Sequence, residues 1–234
     1  ALVPGASMAQ GTYPDRTITL VVPYAAGGPT DTVARLVAEP MAKALGQQVI
    51  IENMGGASGT IGAGQVARAE PDGYTLLLGH IAQAIGPAIY ANLPFDPVED
   101  FAPIGLATDA AMTIIARRDF PADDVPSLLQ EIRTQGENLT YAHGGIGGAS
   151  HLCGIIFQEA TGAAMTTVPY QGTGPAMTDL LGGQVDLMCD QTTNTVPQIL
   201  SGDVKGYAVT SRERVANLPD LPTTAESGLE GVEI

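Results

Sequence analysis

The chain of 234 residues carries 10 Lys and Arg against 25 Asp and Glu, a net charge of −15 with His neutral. Nucleic-acid binders cluster cations to release phosphate counterions and offer aromatic stacking platforms; with aromatics at 5% and no Trp, this composition argues against that class. Hydrophobic residues at 44% and charged residues at 15% describe a globular chain of one large or two small domains, and no uncharged apolar run reaches the roughly 18 to 20 residues a membrane helix needs.

Residues 1–10 (ALVPGASMAQ) are small, apolar and uncharged, and Ser7-Met8-Ala9 before Gln10 resembles the cleavage region of a secretory signal. Residues 1–12 are therefore expected to be a processing remnant without order. In the oxidising compartment this implies, Cys153 and Cys189 either pair or stay as two buried thiols, since sequence does not give their Cα separation.

Strand-like and helix-like segments alternate from there on, the pattern of an α/β fold with mostly parallel strands. The β-branched run 17–24 (TITLVVPY) predicts a strand, ended by Ala25-Ala26-Gly27-Gly28-Pro29. Thr30 and Asp31 bring helix-capping chemistry. Val33, Leu36, Val37, Met41 and Leu45, at three-to-four-residue spacing, predict the buried face of a helix that Gly46 stops. A strand at 49–52, a Gly-rich stretch at 53–64, a short helix near 65–69, a Pro71-Asp72-Gly73 turn and a strand at 74–78 complete a first unit.

The region 85–101 is punctuated by Pro87, Pro94 and Pro97, and 104–106 with 112–116 read as strands crossing out of the first unit, which puts a domain boundary near residue 105. The second unit repeats the layout without a residue-level repeat. It has helices at 127–133, 150–160, 175–181 and 196–200 and strands at 139–141, 166–168, 185–189 and 205–210. Gly-rich loops fall at 144–148 and 170–174.

The unit of strand, Gly-rich loop and helix N-terminus at 24–31 recurs at 143–151. Such a junction presents unpaired backbone N–H groups and the positive end of a helix dipole, which suits a carboxylate or phosphate. Neither loop contains Lys or Arg, so an anion there is held by amides, hydroxyls and water. Arg35 lies one turn after Asp31 and reads as its ion-pair partner.

Nucleotide motifs fail: no G-x-x-x-x-G-K-[ST] occurs, and Gly62-x-Gly64-x-x-Ala67 follows a loop where a dinucleotide site needs a strand. Ser58 misses the nucleophile-elbow spacing by one position. Ser150, His151 and Asp190 have the residue types of a hydrolase triad, but Ser150 reads more simply as a helix cap. His80, His143 and His151 lack the spacing of a metal site and fall just after strands, where they can line a cleft. Asp31 is expected to cap its helix, and Asp190 to accept hydrogen bonds either from a ligand or from nearby amides.

The residues also resemble a known family, the periplasmic substrate-binding proteins of tripartite tricarboxylate transporters, called Bug or TctC. The match includes Pro14-Asp15-Arg16-Thr17-Ile18, residues 21–31 with Ala34-Arg35, Leu45-Gly46-Gln47, the loop 55–62 and Pro71-Asp72-Gly73-Tyr74-Thr75-Leu76. It continues through Asp96-Pro97, Asp100-Phe101, His151-Leu152, Val168-Pro169-Tyr170, Gly174-Pro175-Ala176, Asp179-Leu180-Leu181-Gly182-Gly183, Ala208-Val209-Thr210-Ser211 and 218–223. Asn53-Met54-Gly55-Gly56 departs from the family's usual Asn-Arg-Pro-Gly.

The resemblance implies a type II periplasmic-binding-protein fold, with lobe 1 at 13–105, lobe 2 at 106–207 and a crossover at 208–234 back towards lobe 1. It implies a small organic carboxylate, di- or tricarboxylate favoured, captured in the interlobe cleft of a monomer and delivered to membrane transporter subunits. No catalysis, cofactor, metal, nucleic acid or membrane insertion is implied. The carboxylate grip maps to Tyr24, Ala25, Ala26, Gly27, Gly28, Thr30 and Asp31 and to Gly145, Ile146, Gly147, Gly148 and Ser150. The rest of the cleft maps to His80, Gln83, Tyr170, Thr173 and Asp190. The polar candidates His80, Gln83, Gln191 and Asn194 favour a ligand polar at both ends. Family members continue past a segment like 226–234, so residues 1–234 alone are expected to be poorly stable. A sensor subunit of a signalling system and a Ser/His hydrolase are the competing readings.

Overall fold

A computed structural model of the chain describes residues 13–234. The expected processing remnant at 1–12 lies outside the described residues. Two sheets organise the molecule. The smaller has the order β2-β1-β3, built from β1 (Ile18–Val22), β2 (Val49–Asn53) and β3 (Thr75–Leu77), all parallel. The larger has the order β6-β5-β7-β4-β8, from β4 (Met112–Arg117), β5 (Thr140–His143), β6 (Thr166–Pro169), β7 (Leu187–Gln191) and β8 (Val204–Val209). There β5 runs parallel to β6 and β7, whereas β4 is antiparallel to both β7 and β8.

Helices cover the sheets: α1 (Pro29–Leu45), α2 (Thr60–Ala67), α3 (Ile81–Ile89), α4 (Val125–Gln135), α5 (Ala149–Thr161), α6 (Thr173–Leu181) and α7 (Thr192–Ser201). The larger sheet is buried on both faces. Ile114, Leu128, Tyr141, Phe157 and Leu187 fill one side, and Ile115, Ala142, Leu180 and Met188 the other. The smaller sheet packs Leu20, Val22 and Tyr24 against Ala34 of α1. Cys153 on α5 and Cys189 on β7 form a disulfide inside the larger core, which decides between the two alternatives the sequence left open.

Several sequence expectations are corrected. The buried face of α1 is Thr30, Asp31, Ala34 and Ala38, and Leu36 is 69% exposed: the period of the predicted stripe holds but small residues, not large ones, meet the sheet. Residues 104–106 form no strand, Ile104 and Leu106 are exposed, and no strand among the described residues pairs with this run. Helix α2 starts five residues before the expected 65, and α3 was not anticipated at all. Its Pro87 lies inside the helix, where it has no N–H to give the Gln83 carbonyl one turn earlier. Leu229 and Val232 seat in the core of the larger unit, although 208–234 reads in sequence as heading back to the first.

Candidate functional site

The two units face each other across a small, partly open cavity of about 30 Å³, room for a water or two. Its lining comes from both: Tyr24, Gly28, Pro29, Thr30 and His80 from the smaller, and Met112, Gly144, Gly148, Ala149, Ser150, Gly172, Thr173, Asp190 and Gln191 from the larger. No Lys or Arg is among them.

The geometry follows from parallel strands feeding helices at their C-terminal ends. The residues that cap the N-termini of α1, α3, α5, α6 and α7 are Gly28, His80, Gly148, Gly172 and Gln191. All five line this cavity, and none makes a side-chain capping bond. Away from the cavity, α4 is closed by a full capping box from Asp124 and Ser127. Helices left uncapped at one point present orphan N–H groups there, each helix contributing about half a positive charge. Five helix N-termini thus meet at a cavity whose lining holds no cationic side chain, an arrangement whose chemistry suits an anion.

Side chains brace the loops. Asp31, 4% exposed, is not the cap of α1. From the first turn its carboxylate accepts from the Gly27 N–H at 3.0 Å, from Arg35 in a bidentate pair at 3.0 and 3.1 Å, and from Asn53 at 3.0 Å. Burial alone raises its pKa, but the Arg35, Gly27 and Asn53 bonds outweigh this and hold it below the usual carboxylate range. Asp31 therefore shapes the 25–28 loop while its charge is neutralised on the side away from the cavity. Ser150 is likewise not a cap: Gly148 is, and the Ser150 hydroxyl accepts from the Gly144 N–H at 2.8 Å.

The histidines are loop supports too. His143 accepts from the Gly145 N–H and His151 from the Gly147 N–H, both through Nδ1 at 3.2 Å. Their ring centroids lie 4.5 Å apart with the planes tilted by 49°. Burial, then the neighbouring His151, lowers the His143 pKa to about 4, and burial lowers that of His151. With His151 committed to Gly147 and Ser150 to Gly144, the hydrolase triad is not assembled. His80 packs edge-on to Tyr24 at 5.3 Å, and burial pulls its pKa to about 4.

Asp190, at the end of β7, is 1% exposed. Burial pushes its pKa up to about 6, against hydrogen bonds from Asn194, Thr173 and the Gln191 amide. It is the sole acid lining the cavity.

Of the residues singled out in sequence, Tyr24, Gly28, Thr30, His80, Gly148, Ser150, Thr173 and Asp190 meet at the central cavity. Gln83 lines a neighbouring one, sharing Tyr24 and His80. Gly145, Ile146 and Tyr170 line a wider recess of about 270 Å³ with Ser58, Tyr90 and Gln171. Ala25, Ala26, Gly27, Asp31 and Gly147 line none of these and act through the loops. Gln191, a polar candidate in the sequence, lines the central cavity as well, as do Pro29, Gly144, Ala149 and Gly172 of the loops around the named residues; sequence reasoning missed Met112, the first residue of β4.

The units touch around the cavity. The Ala25 N–H donates to the Gln171 carbonyl at 3.0 Å, and Gly174 packs on the Ala26–Gly28 backbone so closely that an added Cβ would lie 2.8 Å from three main-chain atoms. Among the described residues no three His, Cys, Asp or Glu side chains group as metal ligands, and no helix is long and apolar enough to cross a membrane.

With this geometry in place, the likenesses to known proteins are specific. The family model described as "Tripartite tricarboxylate transporter family receptor" matches residues 33–234. A protein of Agrobacterium vitis, described as "UPF0065 protein in the TAR-I ttuE-ttuC' intergenic region", is 50% identical over 233 residues, covering 100% of this chain and 67% of its own. The periplasmic binding protein BugD is 56% identical with a TM-score of 0.92, over 95% of this chain and 74% of that one. MatC from Rhodopseudomonas palustris, solved with bound malate, is 44% identical with a TM-score of 0.89, over 95% and 76%. The chain spans about two thirds of the length of the curated relatives it matches.

Proposed function

The chain belongs to the TctC family of tripartite tricarboxylate transporter receptors, periplasmic solute-binding proteins rather than enzymes, and on that premise we propose that it captures a small di- or tricarboxylate between its two units for delivery to the transporter's membrane subunits. The observation that carries the proposal is the convergence of five uncapped helix N-termini on one cavity whose lining has no cation. One carboxylate group is placed in the central cavity against the amides of the first turns after Gly28, Gly148 and Gly172, that of α1 beginning at Thr30 because Pro29 has no N–H. The remainder of the ligand extends past Tyr24 and His80 towards Gln83. Capture by closure is supported by the backbone bond between Ala25 and Gln171 and by the segment 101–111, which carries no helix or strand until its end and gives the units a place to pivot.

Malate bound to MatC is consistent with this ligand class. The competing hydrolase reading loses its chemistry because neither His151 nor His143 contacts Ser150 through a hydrogen bond among the described residues. A thermal-shift titration against mono-, di- and tricarboxylates and aromatic acids tests the proposal. Ligand at a hundred times its dissociation constant stabilises by about 2.7 kcal/mol, a shift of several degrees. A saturable shift with a di- or tricarboxylate is expected; a flat response on folded, ligand-free protein overturns it.

A further inference from the structure

We propose that Asp190 sets ligand choice by accepting a hydrogen bond from a donor, hydroxyl or ammonium, on the ligand carbon next to the carboxylate held by the helix N-termini. The inference rests on the carboxylate-capture function proposed above. A carboxylate in the same small cavity as a second carboxylate is an unusual arrangement, because two like charges in a desolvated space repel unless something between them is shared. Asp190 is 1% exposed at the end of β7 and is the sole acid of the lining. An ionised carboxylate offers about four acceptor positions; the Asn194 amide donates to one, on Oδ2. Asp190 lines the cavity, where a ligand donor can reach the positions that Asn194 leaves open.

No charged partner for Asp190 lies in the cavity lining. From the smaller unit, Tyr24 and His80 face the cavity. The Tyr24 hydroxyl points to His80 and the Ser58 carbonyl; His80 is neutral above about pH 4. Asp31 is tied to Arg35, Asn53 and Gly27. From the larger unit, His143 and His151 spend Nδ1 on the Gly145 and Gly147 amides, and Thr113, opposite Asp190 on β4, bonds Thr195. No Lys or Arg lines the cavity. A ligand bearing a donor beside its carboxylate fills the free acceptor of Asp190 and screens the two charges from each other. A ligand without one leaves a buried acceptor unpaired, or must bring a proton onto Asp190, and sites of this kind reject the analogue that lacks the donor.

Isothermal titration of the whole chain at pH 7.5 with L-malate (hydroxyl), L-aspartate (ammonium) and succinate (no donor) tests the inference, repeated on Asp190→Asn. Malate or aspartate is expected to bind at least about tenfold tighter than succinate, the better of the two naming the donor. In Asp190→Asn, which removes the charge, succinate is expected to gain and the preference to shrink to within about threefold. A second measurement does not depend on the variant folding. Between pH 8 and pH 6, the wild-type succinate affinity is expected to rise relative to that of malate as Asp190 takes up a proton. Equal binding of malate, aspartate and succinate to the wild type overturns the inference while leaving carboxylate capture intact. So does a preference unchanged in the variant and across pH. Failure of all three while another carboxylate binds overturns the inference alone; failure of every carboxylate to bind overturns the function it rests on and the inference with it.

Discussion

Gly174 is the position at which closure of the cleft is most directly exposed to a single substitution. Its ideal Cβ lies 2.8 Å from the Ala26 carbonyl oxygen, the Gly27 carbonyl carbon and the Gly28 nitrogen, all main-chain atoms of the opposite unit. None can swing aside as a side chain does, so Gly174→Ala forces the units apart by roughly half an ångström at the rim of the cavity. Misfits of this size cost about 1–3 kcal/mol, which is about five- to 150-fold in an equilibrium constant. Within its own unit the substitution is harmless: Gly174 is the second residue of α6 without a positive φ, and Ala is the better helix former there. The variant is therefore expected to lose at least about fivefold in malate affinity by titration calorimetry while the ligand-free protein melts no lower than wild type. Gly105→Ala, with nothing near its Cβ, serves as the control. Wild-type affinity in Gly174→Ala refutes the idea that ligand is held where these loops meet. A drop in ligand-free melting temperature as large as the affinity loss refutes the separation of closure from folding.

Three further outcomes follow from the same geometry. Asp190 has a folded pKa raised from 3.8 to about 6 by burial, so it favours folding below the unfolded value and that contribution disappears as pH rises through about 6; at pH 7.5 the buried charge costs about 3 kcal/mol. Asp190→Asn is accordingly expected to be more stable to urea at pH 7.5 and to lose the pH 4–6 slope, and an unchanged slope contradicts the assignment. Asp31 runs the opposite way, its pKa lowered. Its contribution is present above the unfolded value and lost as pH falls through the folded one; Asp31→Ala is expected to cost about 1.5–3 kcal/mol in urea melts at pH 7, and a cost below about 0.5 kcal/mol would show that the loop does not depend on it. The Cys153–Cys189 disulfide closes a span of 36 residues, for which loop entropy gives about 4 kcal/mol. The double Ala variant is expected to lose about 2–4 kcal/mol in chemical denaturation, and wild-type stability would refute it.

What the chain reveals of its fold without coordinates depends on how local the physics is. The strands at 17–24, 49–52 and 205–210 are runs closed by turn residues; β1 formed within its bounds, β2 ran one residue further and β8 started one residue earlier. Helix α1 ended where Gly46 takes the left-handed conformation, φ 68°. Its buried face was misjudged because Ala34 and Ala38 carry little hydropathy, yet a helix lying close on a sheet needs small side chains at the contact. Helix α2 was placed late because Gly62 and Gly64 look like loop residues. In fact a Cβ on Gly62 would meet the Met54 carbonyl at 2.9 Å and Pro23 at 3.0 Å, so the glycine serves close packing inside a helix.

The site was legible to the same degree. Gly-rich loops at 24–31 and 143–151 announce helix N-termini, which is a local property. That His80, Gly172 and Gln191 cap helices aimed at the same point is a property of two units facing each other, and no spacing along the chain encodes it. The roles of Asp31 and Ser150 were read as caps since both lie in a first helical turn. Their bonds to Gly27 and Gly144 run backwards into the preceding loops, a choice between two nearby N–H groups that residue type alone does not settle.

The central claim, that a carboxylate is gripped by main-chain amides where helix N-termini converge, is tested most directly by a crystal structure of the protein grown with malate. The expected result is a carboxylate in the central cavity, its oxygens about 3 Å from amides in the turns after Gly28, Gly148 and Gly172 or bridged to them by ordered water, with no Lys or Arg within reach. Malate seated elsewhere, or held by a cationic side chain with those helix termini unengaged, contradicts the account.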